Sequence, residues 1–341
     1  MAKVLVARGY AATLVGTNVD RPVFERAPQA VDVVSLDAEN TLGALLPLIR
    51  YLNRSQPDVL IASGPPMHVI AAFASRLCSK RPSVVLRSHT ETSRYLLDRE
   101  RMRRRMLVAL MRWSHRLANH NVSISRGSAD DLANVLGVQG NEVGVLYNSP
   151  IDDDVMERAG ERPDHPWLCN GDCPIIVTAA RLEPEKDVST LLKAIARVHQ
   201  ERKVRLIILG AGRLLPKLEE LSCELGLTQD VFFAGHVVNP YKYMANADIF
   251  AFSSHFEGFA NVVAEALACG CPVVSTDTPS GPAEILDGGR YGRLVPVGDA
   301  GSMANAILRT LDEVPDRERL RERAARFRAE RIVDDLFELL F

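Results

Sequence analysis

Short apolar runs and helical spacings alternate along almost the whole chain. The first half holds "ATLVGT", "VDVVSL", "PDVLIAS", "PSVVLRSH", "HNVSIS" and "EVGVLYNS", and the second half holds "CPIIVTAARL", "RLIILGAG", "VFFAGH", "DIFAFSS", "CPVVSTD" and "GRLVPVG". Apolar residues follow one another in these runs with little polar alternation, which suits strands covered on both faces, while the stretches between them read as helices. Strand, helix, strand in that order makes right-handed crossovers, so the pattern predicts an α/β fold with a parallel, doubly wound sheet built twice. Acids, prolines and glycines interrupt it between about 149 and 172, in "SPIDDDVMERAGERPDHPWLCNGD". The expected division is therefore residues 1–160, residues 161–325, and a terminal helix over 326–341 that packs back toward the first domain. That tail, within "LRERAARFRAERIVDDLFELLF", is too apolar to stand alone in water.

The start departs from the pattern. A Rossmann-like half opens with a strand and a phosphate-facing loop, yet "MAKVLVARGYAATLVGT" begins as if partway along the first helix, with Gly9 as its stop. The N-terminal domain is therefore expected to be incomplete, lacking its first strand and Gly-rich loop, through a misassigned or truncated start or in a degenerate chain.

Length and composition fit this division. The chain has 341 residues, 47% of them hydrophobic and 25% charged, with a net charge of −2, as in an ordinary two-domain protein with no global attraction for nucleic acid. Six cysteines without a C-x-x-C pair are expected to be reduced thiols. Cys169 and Cys173 allow a zinc site on spacing alone, but no second pair supports one. No run approaches the length of a membrane span, and no signal peptide opens the chain, so the expected location is cytoplasmic.

In an open parallel sheet, ligands sit outside the carboxyl ends of the strands. Arg181 and Lys186 follow "IIVTAA", where a guanidinium and an ammonium beside a helix start would hold a diphosphate; two solvated cations paired with Glu183 or Glu185 are the alternative. Gly210 and Gly212 follow "LIILG" and suit close approach of a ligand, though the full G-x-G-x-x-G is absent. Glu257 precedes Gly258, where the chain is expected to turn into a helix from about Asn261, with the backbone amides of Phe259, Ala260 and Asn261 at its start. Glu265 lies on that helix among Val262, Val263, Ala266 and Leu267, a setting in which a carboxylate needs partners. Each glutamate alone could equally be a helix-start acid or a surface group.

Taken together, "EGFANVVAE" with "ALACGCPVVSTDTPSGPAEIL", "ARLEPEKD" and "YGRLVPVGD" resemble the Glu-x7-Glu retaining glycosyltransferases of family four, which have the GT-B fold of two Rossmann-like domains facing a cleft. The resemblance covers almost the whole chain and is strongest from 175 to 300. It implies that the second domain binds a nucleotide sugar and the first presents an acceptor. It places the ribose at Glu265, the donor hexose at Glu257, the diphosphate at Arg181 and Lys186, and the β-phosphate and sugar at the amides of 259–261. It gives His89, after "VVLRS", a place near the reaction centre. Asn148 and Asp152 are turn formers.

The expected reaction is hexosyl transfer with retention from a UDP-sugar to a glycan or lipid-linked acceptor. It requires no cofactor, since Arg181 and Lys186 can stabilise the leaving diphosphate and no Asp-x-Asp metal motif stands at a strand end in the donor half. Glu257 as a covalent nucleophile is the less favoured mechanism. Between Arg94 and Arg116, eight arginines face Asp98 and Glu100, and Met102, Met106, Leu110 and Trp113 share a stripe. Such a helix fits the inner face of an anionic membrane, as similar family segments do; the alternative makes the stripe core and the arginines its solvated back. Two other classes compete: a degenerate, non-catalytic scaffold in a membrane glycan-assembly complex, and a nicotinamide dehydrogenase, which rests only on "LGAGR".

Overall fold

The computed structural model describes residues 1–18, 24, 28–97, 101–171 and 173–341. It divides into two compact units, Met1–Asn148 with Ala329–Phe341, and Ser149–Arg328. All twelve apolar runs form strands, and all strand pairs are parallel.

In the first unit, β1 (Thr13–Gly16) pairs only with β2 (Asp32–Ser35), and a separate sheet runs β3 (Val59–Ser63), β4 (Ser83–Ser88), β5 (His120–Ser123), β6 (Gly144–Val145). The single sheet expected for this half is thus split in two among the described residues. β1 and β2 are short and only partly covered, whereas five of the six positions of β4 are buried. The C-terminal helix Ala329–Leu340 completes this unit. Its Ile332 and Leu336 join Val85, Val122 and Leu146 in one apolar cluster, while Ala329 and Val333 meet Val4 of the helix Ala2–Ala7. Arg8 and Asp334 close that contact at 2.6 Å.

The second unit has one six-stranded sheet in the order β12 (Arg293–Val295), β11 (Val273–Thr276), β10 (Ile249–Phe252), β7 (Ile175–Ala179), β8 (Arg205–Leu209), β9 (Val231–Gly235). Counted from its own first strand this is the Rossmann order, with the connections reversing direction between β7 and β10. The strands are aliphatic because helices cover them: Leu191, Ile195 and Val198 of the helix Val188–Val198 pack with Ile176, Leu206 and Ile208, and Met303 and Ile307 of Ala300–Leu311 join the same cluster.

The interruption after residue 148 is not a loose spacer. Its acidic run Asp153–Ala159 is a helix, Arg158 lies over the Tyr241 ring at 5.2 Å, and Asn239 donates to the Arg158 carbonyl at 2.8 Å. The division between units therefore falls at Asn148, earlier than residue 160. No helix among the described residues is long and apolar enough to cross a membrane.

Candidate active site

Because β7 and β10 are adjacent and parallel while their connections leave in opposite directions, a crevice opens at their carboxyl ends. The loop after β7 carries Arg181 and Lys186; the loop after β10 carries Ser253 to Ala260. One backbone bond, His255 N–H to the Glu185 carbonyl at 2.8 Å, ties the loops together. Two hydroxyls fix them further: Ser253 donates to the Lys186 carbonyl at 2.8 Å, and Thr276 at the end of β11 donates to the Ser254 carbonyl at 2.7 Å.

This framework brings Lys186 and Glu257 into direct contact. The Lys186 ammonium donates to Glu257 Oε1, both side chains are largely buried, and the Ser254 hydroxyl donates to the same oxygen at 2.9 Å. Arg181 lies at the rim with its side chain 73% exposed, held by Glu185 at 3.1 Å. The pairing of Arg181 with Glu185 coexists with a Lys186 committed to the crevice. Sequence reasoning missed two neighbours. Asp187, in the left-handed conformation, caps the helix Val188–Val198 through one oxygen and holds His255 Nε2 at 2.7 Å through the other. Ser254 has only its place before Glu257 to mark it.

The turn into the helix Asn261–Ala268 differs from expectation. Gly258 is not the residue with positive φ; Ala260 is, at φ 65°. A left-handed alanine costs on the order of 1 kcal/mol, and such strain persists only where the surroundings enforce it. Here Phe259 is anchored, its ring buried and edge-on to Phe327 at 5.4 Å, so what it can offer a ligand comes down to its backbone. Asn261, the first helical residue, is exposed.

Gly210 and Gly212 are required by the protein itself. A Cβ on Gly210 would fall 1.9 Å from the Ala180 carbonyl oxygen, and one on Gly212 would fall 2.4 Å from that of Leu182. The two loops run backbone against backbone, joined by Leu182 N–H to the Ala211 carbonyl at 3.0 Å.

Glu265 sits one turn into the helix Asn261–Ala268. Burial pushes its carboxyl up to about 7, and the carboxyl has no hydrogen-bond or ion-pair partner among the described residues. Burial followed by the Glu265 charge pushes the Tyr241 phenol up to about 12, and burial does the same to the Cys269 thiol. A desolvated carboxylate without a partner is costly, and hydroxyl donors from outside would relieve it.

His89 belongs to the first unit, where its Nε2 lies 3.0 Å from the Ser63 hydroxyl. Burial, then the Arg87 cation, pushes it down to about 4, so it is neutral near pH 7. Arg87 itself is buried and held by the carbonyls of Leu146 and Tyr147 and by Asn148 Oδ1.

Two family descriptions match this chain: "Glycosyltransferase Family 4" over residues 1–154 and "Glycosyl transferases group 1" over residues 173–313. The chain belongs to the family-four glycosyltransferases. Among solved structures, this glycosyltransferase superposes on HepE from Anabaena in complex with UDP-glucose with a TM-score of 0.78, at 23% identity, over 99% of this chain and 93% of that one. A glycosyltransferase from Rickettsia africae gives a TM-score of 0.81 at 14% identity, over 99% and 91% of the two chains. These likenesses establish the GT-B fold. Among curated relatives, the N-acetylgalactosamine-N,N'-diacetylbacillosaminyl-diphospho-undecaprenol 4-alpha-N-acetylgalactosaminyltransferase of Campylobacter jejuni is 36% identical over 55% of this chain and 50% of its own length. The lipopolysaccharide core biosynthesis glycosyltransferase LpsE of Rhizobium meliloti is 34% identical over 50% of each chain. The chain spans about half the length of these curated relatives it matches.

Proposed function

We propose that the chain is a hexosyltransferase that moves a hexose from a nucleotide sugar, a UDP-sugar, to a glycan or lipid-linked acceptor with retention of configuration. The observation that carries this reading is Glu265: a carboxyl pushed up to about 7 by burial, without a partner, on the helix that starts beside the Lys186–Glu257 pair. Two adjacent ribose hydroxyls would donate to it. Lys186 and Arg181 then take the diphosphate, Glu257 accepts from hexose hydroxyls, and the backbone of Phe259, Ala260 and Asn261 adds N–H donors at the helix start. Gly210 and Gly212 keep the two neighbouring loops close-packed.

As the bond to the leaving diphosphate breaks, negative charge grows on the phosphate oxygens facing Lys186 and Arg181, which lowers the barrier. The acceptor attacks on the same face, and a phosphate oxygen takes its proton. Glu257 Oε1 already accepts from an ammonium and a hydroxyl, which fits a group that receives hydrogen bonds better than one that attacks carbon. His89, neutral near pH 7, suits a hydrogen bond to a sugar hydroxyl. The UDP-glucose in the HepE structure and the diphospho-undecaprenol in the name of the Campylobacter relative support the donor and acceptor classes.

An anionic membrane surface as partner rests on the helix Arg101–Leu117. Met102, Met106, Leu110 and Trp113 are exposed while Met111 is fully buried, so the stripe is not core. A groove of about 740 Å³ between Leu97, Val108 and Trp113 is rimmed by Arg104, Arg105, Arg112 and Arg116. Asp98, Arg99 and Glu100 lie outside the described residues.

Calorimetric screening of UDP- and GDP-sugars, with Glu265→Ala and Lys186→Ala as controls, tests the donor assignment. Loss of binding in both variants supports it; binding by both as tight as wild type sinks it.

A further inference from the structure

We infer that the Lys186–Glu257 pair is an interlock that makes the diphosphate and the sugar of a donor bind as a unit, an inference that rests on the donor reading above. The two side chains are 17% and 15% exposed. An exposed pair such as Arg181–Glu185 is screened by solvent, but a desolvated pair resists being split, since either charge left alone is poorly hydrated.

Lys186 is held in place by its backbone, and Glu257 by a hydroxyl that is itself fixed. The Lys186 carbonyl accepts from Ser253 at 2.8 Å, its N–H donates to the Glu183 carbonyl at 3.0 Å, and the next residue, Asp187, is fixed as a helix cap. Ser254, which donates to Glu257 Oε1, is itself held through its carbonyl by Thr276. The ammonium can thus turn only on its own stem. Oε1 takes both protein donors, and Oε2 has no partner among the described residues.

A phosphate oxygen that captures the Lys186 ammonium competes directly with Glu257 Oε1. A nucleoside diphosphate lacking its sugar strips Glu257 of its cation and offers nothing in return. An intact donor replaces that cation with hydroxyl donors, reaching both carboxylate oxygens. The interlock therefore favours donor over spent diphosphate, and re-formation of the ion pair helps to expel the product after transfer.

The test is calorimetric titration of UDP, GDP and ADP into wild type, Glu257→Gln, Lys186→Gln and the double variant. Glu257→Gln frees the ammonium and is expected to tighten the best-bound diphosphate about three- to tenfold. Lys186→Gln weakens it, and in the double variant the gain from Glu257→Gln disappears. Should Glu257→Gln fail to fold, Ser254→Ala replaces it: with one donor gone from Oε1, Glu257 grips Lys186 harder and diphosphate binding weakens. Unchanged affinity in the folded Glu257→Gln protein, or in Ser254→Ala where it stands in, overturns the interlock but leaves the donor site standing if Lys186→Gln still weakens binding. If neither wild type nor the folded Glu257→Gln protein, with its ammonium freed, binds any of the three diphosphates, both are overturned.

Discussion

Gly281, at φ 93°, lies so close to Phe259 that a Cβ there would come within 2.3 Å of the Phe259 carbonyl oxygen and 2.5 Å of its carbonyl carbon. The loop after β11 is thereby pressed against the segment that starts the helix Asn261–Ala268. Gly281→Ala combines a left-handed alanine with a backbone clash, and is expected to lower stability by about 2–4 kcal/mol and to weaken donor binding with it. Denaturant unfolding and calorimetry on the same preparation check this; a variant as stable as wild type would show that the two segments separate easily.

Glu265→Gln is expected to stabilise the protein while weakening donor binding. The folded carboxyl titrates near 7 against an ordinary value of 4.5, so as pH falls the folded state takes up the proton first. Its contribution to stability is fully present below about 4.5 and is lost as pH rises through about 7. At about pH 8 the glutamine variant should be more stable on the order of 2 kcal/mol, a difference that shrinks toward pH 5. Thermal melts at the two pH values measure it.

Donor affinity in the wild type should rise with pH through about 7, because the ionised Glu265 is the form that accepts hydroxyl hydrogens. Calorimetry from about pH 6 to pH 8 should show a gain approaching tenfold, absent from Glu265→Gln. A flat profile would detach the carboxyl from the ligand.

The first unit should lose stability in acid. Burial pushes His68 down to about 3 and His115 and His89 down to about 4; His68 Nδ1 faces His115 Nε2 at 3.3 Å, and His115 Nδ1 faces Asn121 Oδ1 at 2.8 Å. The unfolded chain therefore takes up protons first below 6.5, and stability present above that value drains as pH falls toward 4. Trp113 and Trp167 lie one in each unit, so Trp167→Phe leaves fluorescence that reports on the first. Its urea midpoint should fall from pH 7 to about pH 5, and less steeply in His115→Gln.

Replacing Arg103, Arg104 and Arg105 with glutamate should reduce co-sedimentation with phosphatidylglycerol vesicles, each cation contributing about 1 kcal/mol, and leave diphosphate affinity unchanged. Vesicle binding that ignores both the substitutions and added salt would remove the membrane from the proposal.

Much was legible in the sequence because its cause is local. A strand buried on both faces has to be aliphatic along its length, so "IIVTA" and "IFAF" declare themselves, and alternation with helices is enough to fix parallel pairing in the second unit. Arg181, Lys186, Glu257 and Glu265 could be named because strand ends in such a sheet converge. What stayed hidden depends on the approach of distant backbone. Gly210 and Gly212 look like a ligand loop, and the close approach of Ala180 and Leu182, which itself requires glycine there, could not be read from the sequence. Gly258 looks like the turn, yet the packing of Phe259 against Phe327 and Gly281 puts the strain on Ala260.

The sequence by itself determined the twelve strands, the α/β class and the candidate charges, since burial and chain direction are written in residue type and order. Only the tertiary structure decided that Lys186 reaches Glu257 rather than solvent, that Glu265 goes unpartnered, and that the stripe on Arg101–Leu117 is exposed. These are outcomes of which side chains exclude water together, and that depends on contacts between residues tens to hundreds of positions apart.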